Sequence, residues 1–381
     1  MATTKETQRI AQERMVEAIT RHMAYLHRLS TGQANKAIAI VNRLGSDLAR
    51  DVADRLEELT PAEMKAFAAG KYTTARLKGI RSVINGWAEK LGKQLNEEVL
   101  TGLKDLADNE TSYAHRLLQS VLENPIAAAP GAGVAYAAAM ERPAMGQLVT
   151  EMLEEIPERT RKQVYSRIRQ GIAQGETNGQ IVRGLRGTKA LRYRDGIFQT
   201  TRIAAERVVR TGVNHVSNTA YAETWEATGV DEVVDVATLD GRTSKYCASI
   251  DGRRHKVGTA HPRPPYHPNC RTVQIPSLAA DIMGERPYVR AFKPIGQIPK
   301  SQRSKDMVGR VSAKTRYPDW FARQPANFQR EWLGDTRYQL YKKGEYSIDR
   351  FVDPIGRQYT IAELEARDSE TFKEVFGSMA A

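Results

Sequence analysis

Cysteine is nearly absent, with only Cys247 and Cys270 in 381 residues. That excludes the disulfide-dense scaffold of small secreted domains and fits a reducing cytoplasm. No run approaches the roughly 20 consecutive apolar residues of a membrane span. The opening stretch, MATTKETQRIAQERMVEAI, holds neither an apolar signal core nor an Ala-x-Ala cleavage site, so neither export by that route nor a membrane anchor is expected. Acidic residues are in the minority, 45 against 57 Lys and Arg, for a formal net charge of +12. The resulting field attracts polyanions without distinguishing DNA, RNA or an acidic protein surface. With 41% apolar and 27% charged residues, the balance is that of a globular protein, not a disordered or fibrous one. The length exceeds one ordinary core and implies two or three domains.

What is there begins as helix. From 5 to about 124, Val41, Leu44, Leu48, Val52, Leu56 and Leu59 recur every three or four residues. So do Leu77, Ile80, Ile84, Trp87, Leu91, Leu95, Val99, Leu103 and Leu106. Each set draws one apolar stripe along a helix, and stripes of this kind pack on one another. Between them, Thr60-Pro61-Ala62-Glu63 supplies a capping hydroxyl, a proline at the first helical position and a reciprocating glutamate. Residues 125–146 are rich in Ala, Gly and Pro, lack large apolar side chains and read as a linker or hinge. Helices resume from 147 to 229: one ending near Gly171 and Gly175, a short one opening after Thr177 or Asn178, and a long one over about 199–228. The long helix is expected to turn Ile203, Val209, Val213, Val216 and Ala220 to a core, with Arg210, Asn214 and Asn218 on its other side. After Gly229 the period shortens. EVVDVATL reads as a strand closed by Asp240-Gly241, a second turn falls at Asp251-Gly252, and residues 271–275 return as a strand, giving a sheet of about three strands. Nine of the 27 aromatics lie within 317–351, a small core or a docking surface. Another capping box, Thr360 with Glu363, opens a terminal helix. The expected fold is α+β and predominantly α-helical, in four parts. A long-helix N-terminal bundle (1–124) and an Ala/Gly/Pro linker (125–146) lead into a helical core with a small appended β-sheet (147–276). A short mixed, aromatic-rich C-terminal extension (277–381) follows.

The positive charge is concentrated. Residues 158–210 hold eleven Arg and two Lys against four Asp and Glu, the footprint that release of phosphate counterions favours. Arg159, Arg161, Lys162, Arg167, Arg169, Arg183, Arg186, Lys189, Arg192 and Arg194 are its candidate contacts with DNA or an acidic protein. The pair of helices over 159–187 also admits a DNA-reading role, although most such pairs only pack.

Chemistry-bearing residues gather in 239–276, with both cysteines, three of the seven histidines and five prolines. Cys247, His261, His267 and Cys270 offer two thiolates and two imidazoles, a donor set that suits tetrahedral zinc. The spacing lacks a Cys-x-x-Cys pair, so zinc is a secondary reading beside a satisfied, turn-rich structural loop. His255 with Asp251-Gly252 and Asn269 loosely matches nucleases whose histidine sits on a hairpin, but the following helix is missing from the pattern. Cys270 and His267 are also a conceivable nucleophile pair, without a third orienting group. No catalytic residue and no obligatory cofactor is assigned.

The run Arg210-Thr211, Asn214, a strand, Asp240-Gly241-Arg242-Thr243, Cys247, Asp251-Gly252 and Pro264-Pro265-Tyr266-His267-Pro268-Asn269-Cys270-Arg271 resembles the phage Mu protein F-like, or head-morphogenesis, family over about 150–276. The tail beyond 310 is similar to an extension of some phage minor head proteins. The resemblance implies a structural minor head protein of a tailed bacteriophage, made in the host cytoplasm and held inside the capsid near the portal. Its implied partners are the portal protein, a capsid or scaffolding protein and phage DNA, and its implied role is in head assembly and in DNA packaging or ejection. A nucleic-acid-acting enzyme using the loop from Asp240 to Arg271 and a DNA-binding regulator are the alternatives. Many relatives carry two further cysteines, where this chain has Ser244 and Thr272. That departure favours packing and hydrogen bonds over a four-cysteine zinc site. Asp240, Arg242, Asp251, His267 and Arg271 then read as a polar network fixing the loop against the helix that bears Arg210 and Asn214.

Overall fold

The computed structural model describes residues 4–282 and 284–377, and it is 63% helical with two small sheets, the α+β, mainly helical class expected. In chain order come α1 (Lys5–Glu57), α2 (Pro61–Ala68), α3 (Ala75–Val121), α4 (Val134–Glu141), α5 (Val149–Ala173), α6 (Asn178–Arg186) and α7 (Ile197–Ala227). The mixed part follows with β1 (Glu232–Val236), β2 (Leu239–Asp240), α8 (Lys245–Ile250), β3 (Arg254–Lys256), β4 (Val273–Pro276), β5 (Glu285–Val289) and β6 (Val308–Ser312). The tail holds α9 (Tyr317–Ala322), α10 (Ala326–Leu333), α11 (Asp335–Lys343), α12 (Ile361–Arg367) and α13 (Ser369–Phe376). None of the described helices is long and apolar enough to cross a membrane.

These elements divide into two compact units. One comprises Met1–His27, Asn109–Ala135 and Ser217–Ala381; the other comprises Arg28–Asp108 and Tyr136–Val216. The divisions therefore do not fall at 124, 146 and 276. Helices of 53 and 47 residues outrun any one small core, so α1 and α3 each supply residues to both units.

In the all-helical unit the sequence stripes are the buried faces. Val41, Leu44, Leu48, Val52 and Leu56 are at most 1% exposed, and all nine residues from Leu77 to Leu106 are buried; Leu59 lies past the end of α1 and is half-buried. Trp87 donates its indole N–H to the Leu44 carbonyl at 2.8 Å and packs on Phe198. Gly45 is needed there, because a Cβ on it would stand 2.9 Å from the Phe198 ring. The Thr60 capping box forms as read: the Glu63 N–H donates to Thr60 Oγ1, and the Thr60 N–H donates to Glu63 Oε2.

Two expectations are corrected here. The supposed linker contains α4, whose Ala135 and Ala139 are buried; small residues allow close approach, and the Ala139 carbonyl meets His215 Nε2 at 2.8 Å. Ile203 is 46% exposed, because the buried stripe of α7 runs instead through Phe198, Thr201, Ala205, Val208 and Val209. The polar Thr201 is tolerated on that stripe because its hydroxyl is 2.9 Å from that of Thr160.

The mixed unit carries two three-stranded sheets where one was expected, in the orders β3-β1-β4 and β2-β5-β6. β1 is antiparallel to both neighbours, with Val234 opposite Ile275 and Val233 opposite His255. β2 runs parallel to β5, which pairs antiparallel with β6. One core joins Met15, Val16 and Ile19 of α1 and Tyr221 and Trp225 of α7 to Val233, Val234, Val273 and Ile275. A second collects the C-terminal aromatics, and it also contains Leu239 and Ala248. The aromatic tail is thus no separate unit, since it completes the core beneath the loop that follows β1. The Tyr317 hydroxyl donates to the Asp240 carbonyl at 2.8 Å, and Trp332 Nε1 donates to the Thr243 carbonyl at 2.9 Å.

Each buried aromatic withdraws about 150–250 Å² from water, so the aromatic core outweighs what the loop buries by itself. A chain ended at residue 276 is expected to lose amide-exchange protection over residues 239–271 while the all-helical unit keeps its own protection, whereas the full chain protects both. Protection of that loop in the truncated chain would show that the loop does not depend on the tail.

Candidate metal centre, polar loop and basic surface

Three aspartates lie at or below 3% exposure between 235 and 251, and burying a carboxylate is tolerable only when partners replace its water. Asp235, in the middle of β1, accepts from Tyr266 Oη at 2.7 Å and from Gln274 Nε2 at 3.2 Å, and meets His255 Nε2 at 2.7 Å. Asp240 is gripped by Arg271, Nη1 to Oδ2 at 2.5 Å and Nη2 to Oδ1 at 2.8 Å, a two-pronged guanidinium–carboxylate pair. Arg242 adds its N–H at 2.9 Å and its guanidinium at 3.2 Å. Burial works against ionisation of Asp240, yet the Arg271 pair outweighs it and holds the carboxyl below its ordinary 3.8. Asp251 accepts from both Arg286 nitrogens, at 2.9 and 3.2 Å, and from the N–H groups of Ala237 and Tyr317. Arg286 is itself buried.

Of the residues expected to form one network, Asp240, Arg242 and Arg271 come together, whereas Asp251 pairs with Arg286, which was not expected, and His267 lies with the cysteines. Arg210 is engaged elsewhere, with Glu206 at 2.9 Å and the hydroxyls of Ser30 and Thr31, and Asn214 lies with it in the all-helical unit. From α7 it is Asn218, expected on the outer side, that reaches the loop. It is buried and bonds the Thr272 carbonyl and the Gln274 N–H. Asp235, Tyr266, Gln274 and Arg286 were not singled out from the sequence. A charged residue in the middle of a β-branched strand was the available signal for Asp235.

His267 joins the two cysteines. Ser244 caps α8 by accepting from the Cys247 N–H, which points Cys247 inward. Asn269, at φ 59°, turns the chain so that Cys270 returns beside His267. The sulfurs are 3.7 Å apart, and His267 Nε2 is 3.2 Å from Cys247 Sγ. The donor atoms of Cys247, His267 and Cys270 all lie within 4.8 Å of one another, the one such group among the described residues. Burial pushes the Cys247 thiol up; it opposes ionisation of Cys270 too, but hydrogen bonds from Cys247 and His267 hold that thiol well below its usual range. His261 is not part of the group. It stacks on His255 at 4.6 Å and faces the Thr259 carbonyl and the Gln274 side-chain oxygen. The nuclease arrangement is not assembled either, since the His255 nitrogen that would act is on Asp235 and the chain after Cys270 enters β4, not a helix.

The basic candidates separate into two groups. Arg167 lies where a Cβ on Gly184 would stand and pairs with Glu176 at 2.5 Å. Arg161 binds Glu158 and Asn85, and Arg169 donates to the Tyr72 hydroxyl. These three hold α5 in place. Arg159, Lys162, Arg183, Arg186, Lys189, Arg192 and Arg194 are exposed, and no ion pair to them occurs among the described residues. The loop after α6 is closed at its neck by Gly187 and Gly196, where a Cβ on Gly196 would stand 2.3 Å from the Gly187 nitrogen, and by the Thr188 N–H on Asp195. It presents Lys189, Arg192 and Arg194 together with Leu191, which is 58% exposed. The pair of helices for which a DNA-reading role was the alternative packs tightly through Ile181 and Gly171.

Residues 162–275 match the family model described as Phage Mu protein F like protein. No curated protein and no solved structure matches.

Two outcomes follow. Asp240→Asn leaves Arg271 without its counter-charge and is expected to cost about 3–5 kcal/mol at neutral pH by urea unfolding. Because folded Asp240 holds its proton more weakly than the unfolded chain does, its contribution is complete above 3.8 and is lost as pH falls below that value. The gap between wild type and variant should therefore narrow on acidification, and a gap independent of pH would remove Asp240 as its source. Arg167→Ala should lower the unfolding midpoint, unlike Arg192→Ala; equal midpoints would contradict the division of the basic residues drawn above.

Proposed function

We propose that this chain, which carries a phage Mu protein F like domain over residues 162–275, is a structural component of a phage head, acting in head morphogenesis through a basic surface that meets DNA. The observation that carries the reading is the exposed set from α5 to the loop after α6, seven cations inside the matched domain or just before it with no ion pair among the described residues. The nearby acids are otherwise engaged: Glu158 with Arg161, Glu176 with Arg167, Asp195 with the Thr188 N–H and Glu206 with Arg210. The positive charge is therefore available to a partner, and phosphates are matched by dispersed, arginine-weighted cations of this kind. A place inside the capsid near the portal, with portal and capsid or scaffolding proteins as neighbours, is the corresponding location, and an acidic portal surface is the competing partner for the same cations. The loop from Asp240 to Arg271 then serves as scaffold, its carboxylates consumed by internal pairs.

Mass spectrometry of purified virions and precursor capsids should find this chain, and its absence from both would remove the structural reading. DNA contact is tested separately. Replacing Arg183, Lys189, Arg192 and Arg194 by alanine should weaken binding to duplex DNA at low salt and flatten the logarithmic salt dependence by up to about 0.9 per lost phosphate contact. An unchanged slope, with the variant still incorporated into particles, would direct this surface to a protein partner.

A further inference from the structure

We propose that Cys247, His267 and Cys270 form a three-donor site for a zinc-class divalent cation, with the Thr272 hydroxyl or a water completing four coordination. The geometry carries it. Tetrahedral zinc with sulfur at about 2.3 Å and imidazole nitrogen at about 2.05 Å requires sulfurs about 3.8 Å apart and a sulfur–nitrogen separation of about 3.6 Å. The protein places the sulfurs 3.7 Å apart and Cys247 Sγ 3.2 Å from His267 Nε2, within a few tenths of an ångström of those values, and holds all three donor atoms within 4.8 Å of one another. A disulfide would need the sulfurs at about 2.05 Å and would have no use for the histidine aimed at them.

A second observation concerns that histidine. His267 Nδ1 lies 2.9 Å from the Pro268 carbonyl oxygen, which accepts only, so Nδ1 carries a proton and Nε2 is the nitrogen presented to the sulfurs. Metal-bound imidazoles are oriented in this way by a backbone carbonyl on the far nitrogen. The surroundings also fit: Ala237 and Tyr266 pack around the buried cysteines, and Thr272, 1% exposed, is within hydrogen-bonding reach of Cys247. Binding is balanced, as both cysteines bind as thiolates, any proton still held by the donor atoms passes to solvent, and the two thiolate charges cancel the dication, leaving no net charge in the buried site. His261 and Ser244 are excluded from the ligand set by their own hydrogen bonds, to Gln274 and to the Cys247 N–H.

The test uses the full chain, purified without chelator. Elemental analysis and native mass spectrometry should find close to one zinc per chain, and cobalt(II) substitution should give tetrahedral d–d bands with sulfur-to-cobalt charge transfer. Cys270→Ser and His267→Gln should lose the metal. Thr272→Cys, which adds a third thiolate, should strengthen the charge-transfer band and slow loss to a competing chelator by at least tenfold. That gain does not depend on a variant that merely fails to fold. A chain 2 Da light from an intramolecular disulfide, a six-coordinate cobalt spectrum, or no effect of Thr272→Cys on chelator competition would each overturn the assignment.

Discussion

The burial of Asp240 against Arg271 is the constraint on which the mixed unit rests. A carboxylate at 1% exposure without a cation would unfold its surroundings or take up a proton. With the two-pronged pair in place, the residues on either side of Asp240 are fixed: its carbonyl accepts from Tyr317 and its side chain from the Arg242 N–H. Arg271 begins the return to β4, so the same pair ties the first turn of the loop to its last. Asp251 repeats the device one turn later with Arg286 of β5, and through it the tail is held to the loop. Neither pair gains much over an apolar contact of equal size, but removing one partner leaves an uncompensated charge, and that asymmetry commits the chain to one arrangement.

The long helices were legible because a stripe of Leu, Ile and Val at helical spacing leaves few alternatives, and the capping boxes at Thr60 and Thr360 marked the starts of the short helices α2 and α12. What escaped has a common physical cause, namely partners distant in sequence. Thr201 is polar and was passed over for Ile203, since nothing near it shows the hydroxyl of Thr160. The Ala-rich stretch around α4 lacks bulk, and its burial comes from close approach. β5 pairs with a two-residue strand almost fifty residues earlier, and β6 pairs with β5 in turn, which no local pattern contains. In the site, the sequence brought forward Cys247, His267 and Cys270 but added His261, because composition counts imidazoles without showing that Gln274 engages one of them.

The basic surface poses the same problem in reverse. Ten cations were equivalent as letters, yet three of them pack into α5 and its neighbours. Arg167 is the clearest case, because Gly184 has no side chain where the guanidinium lies. The remaining seven keep their charge at the surface with no ion pair among the described residues, and the glycine neck at 187 and 196 gives three of them a defined loop to stand on. A defined loop loses less conformational entropy on meeting a partner than a disordered basic tail does.

The two kinds of glue in the loop act independently. Asp235, Asp240 and Asp251 each have full sets of protein partners, so the loop folds through carboxylate pairs with no help from the thiols. This separates it from small metal domains in which metal binding and folding are one event. A cation held by Cys247, His267 and Cys270 would instead add a cross-link between the start of α8 and the start of β4, in a segment already placed by Arg271. Its effect falls on rigidity and resistance to unfolding, which grow with the ratio of free metal to its dissociation constant, and not on whether the fold forms. A neutral hydroxyl or water at the fourth position would make such a site weaker than one with a further thiolate, and a loop already fixed by ion pairs can tolerate that weakness.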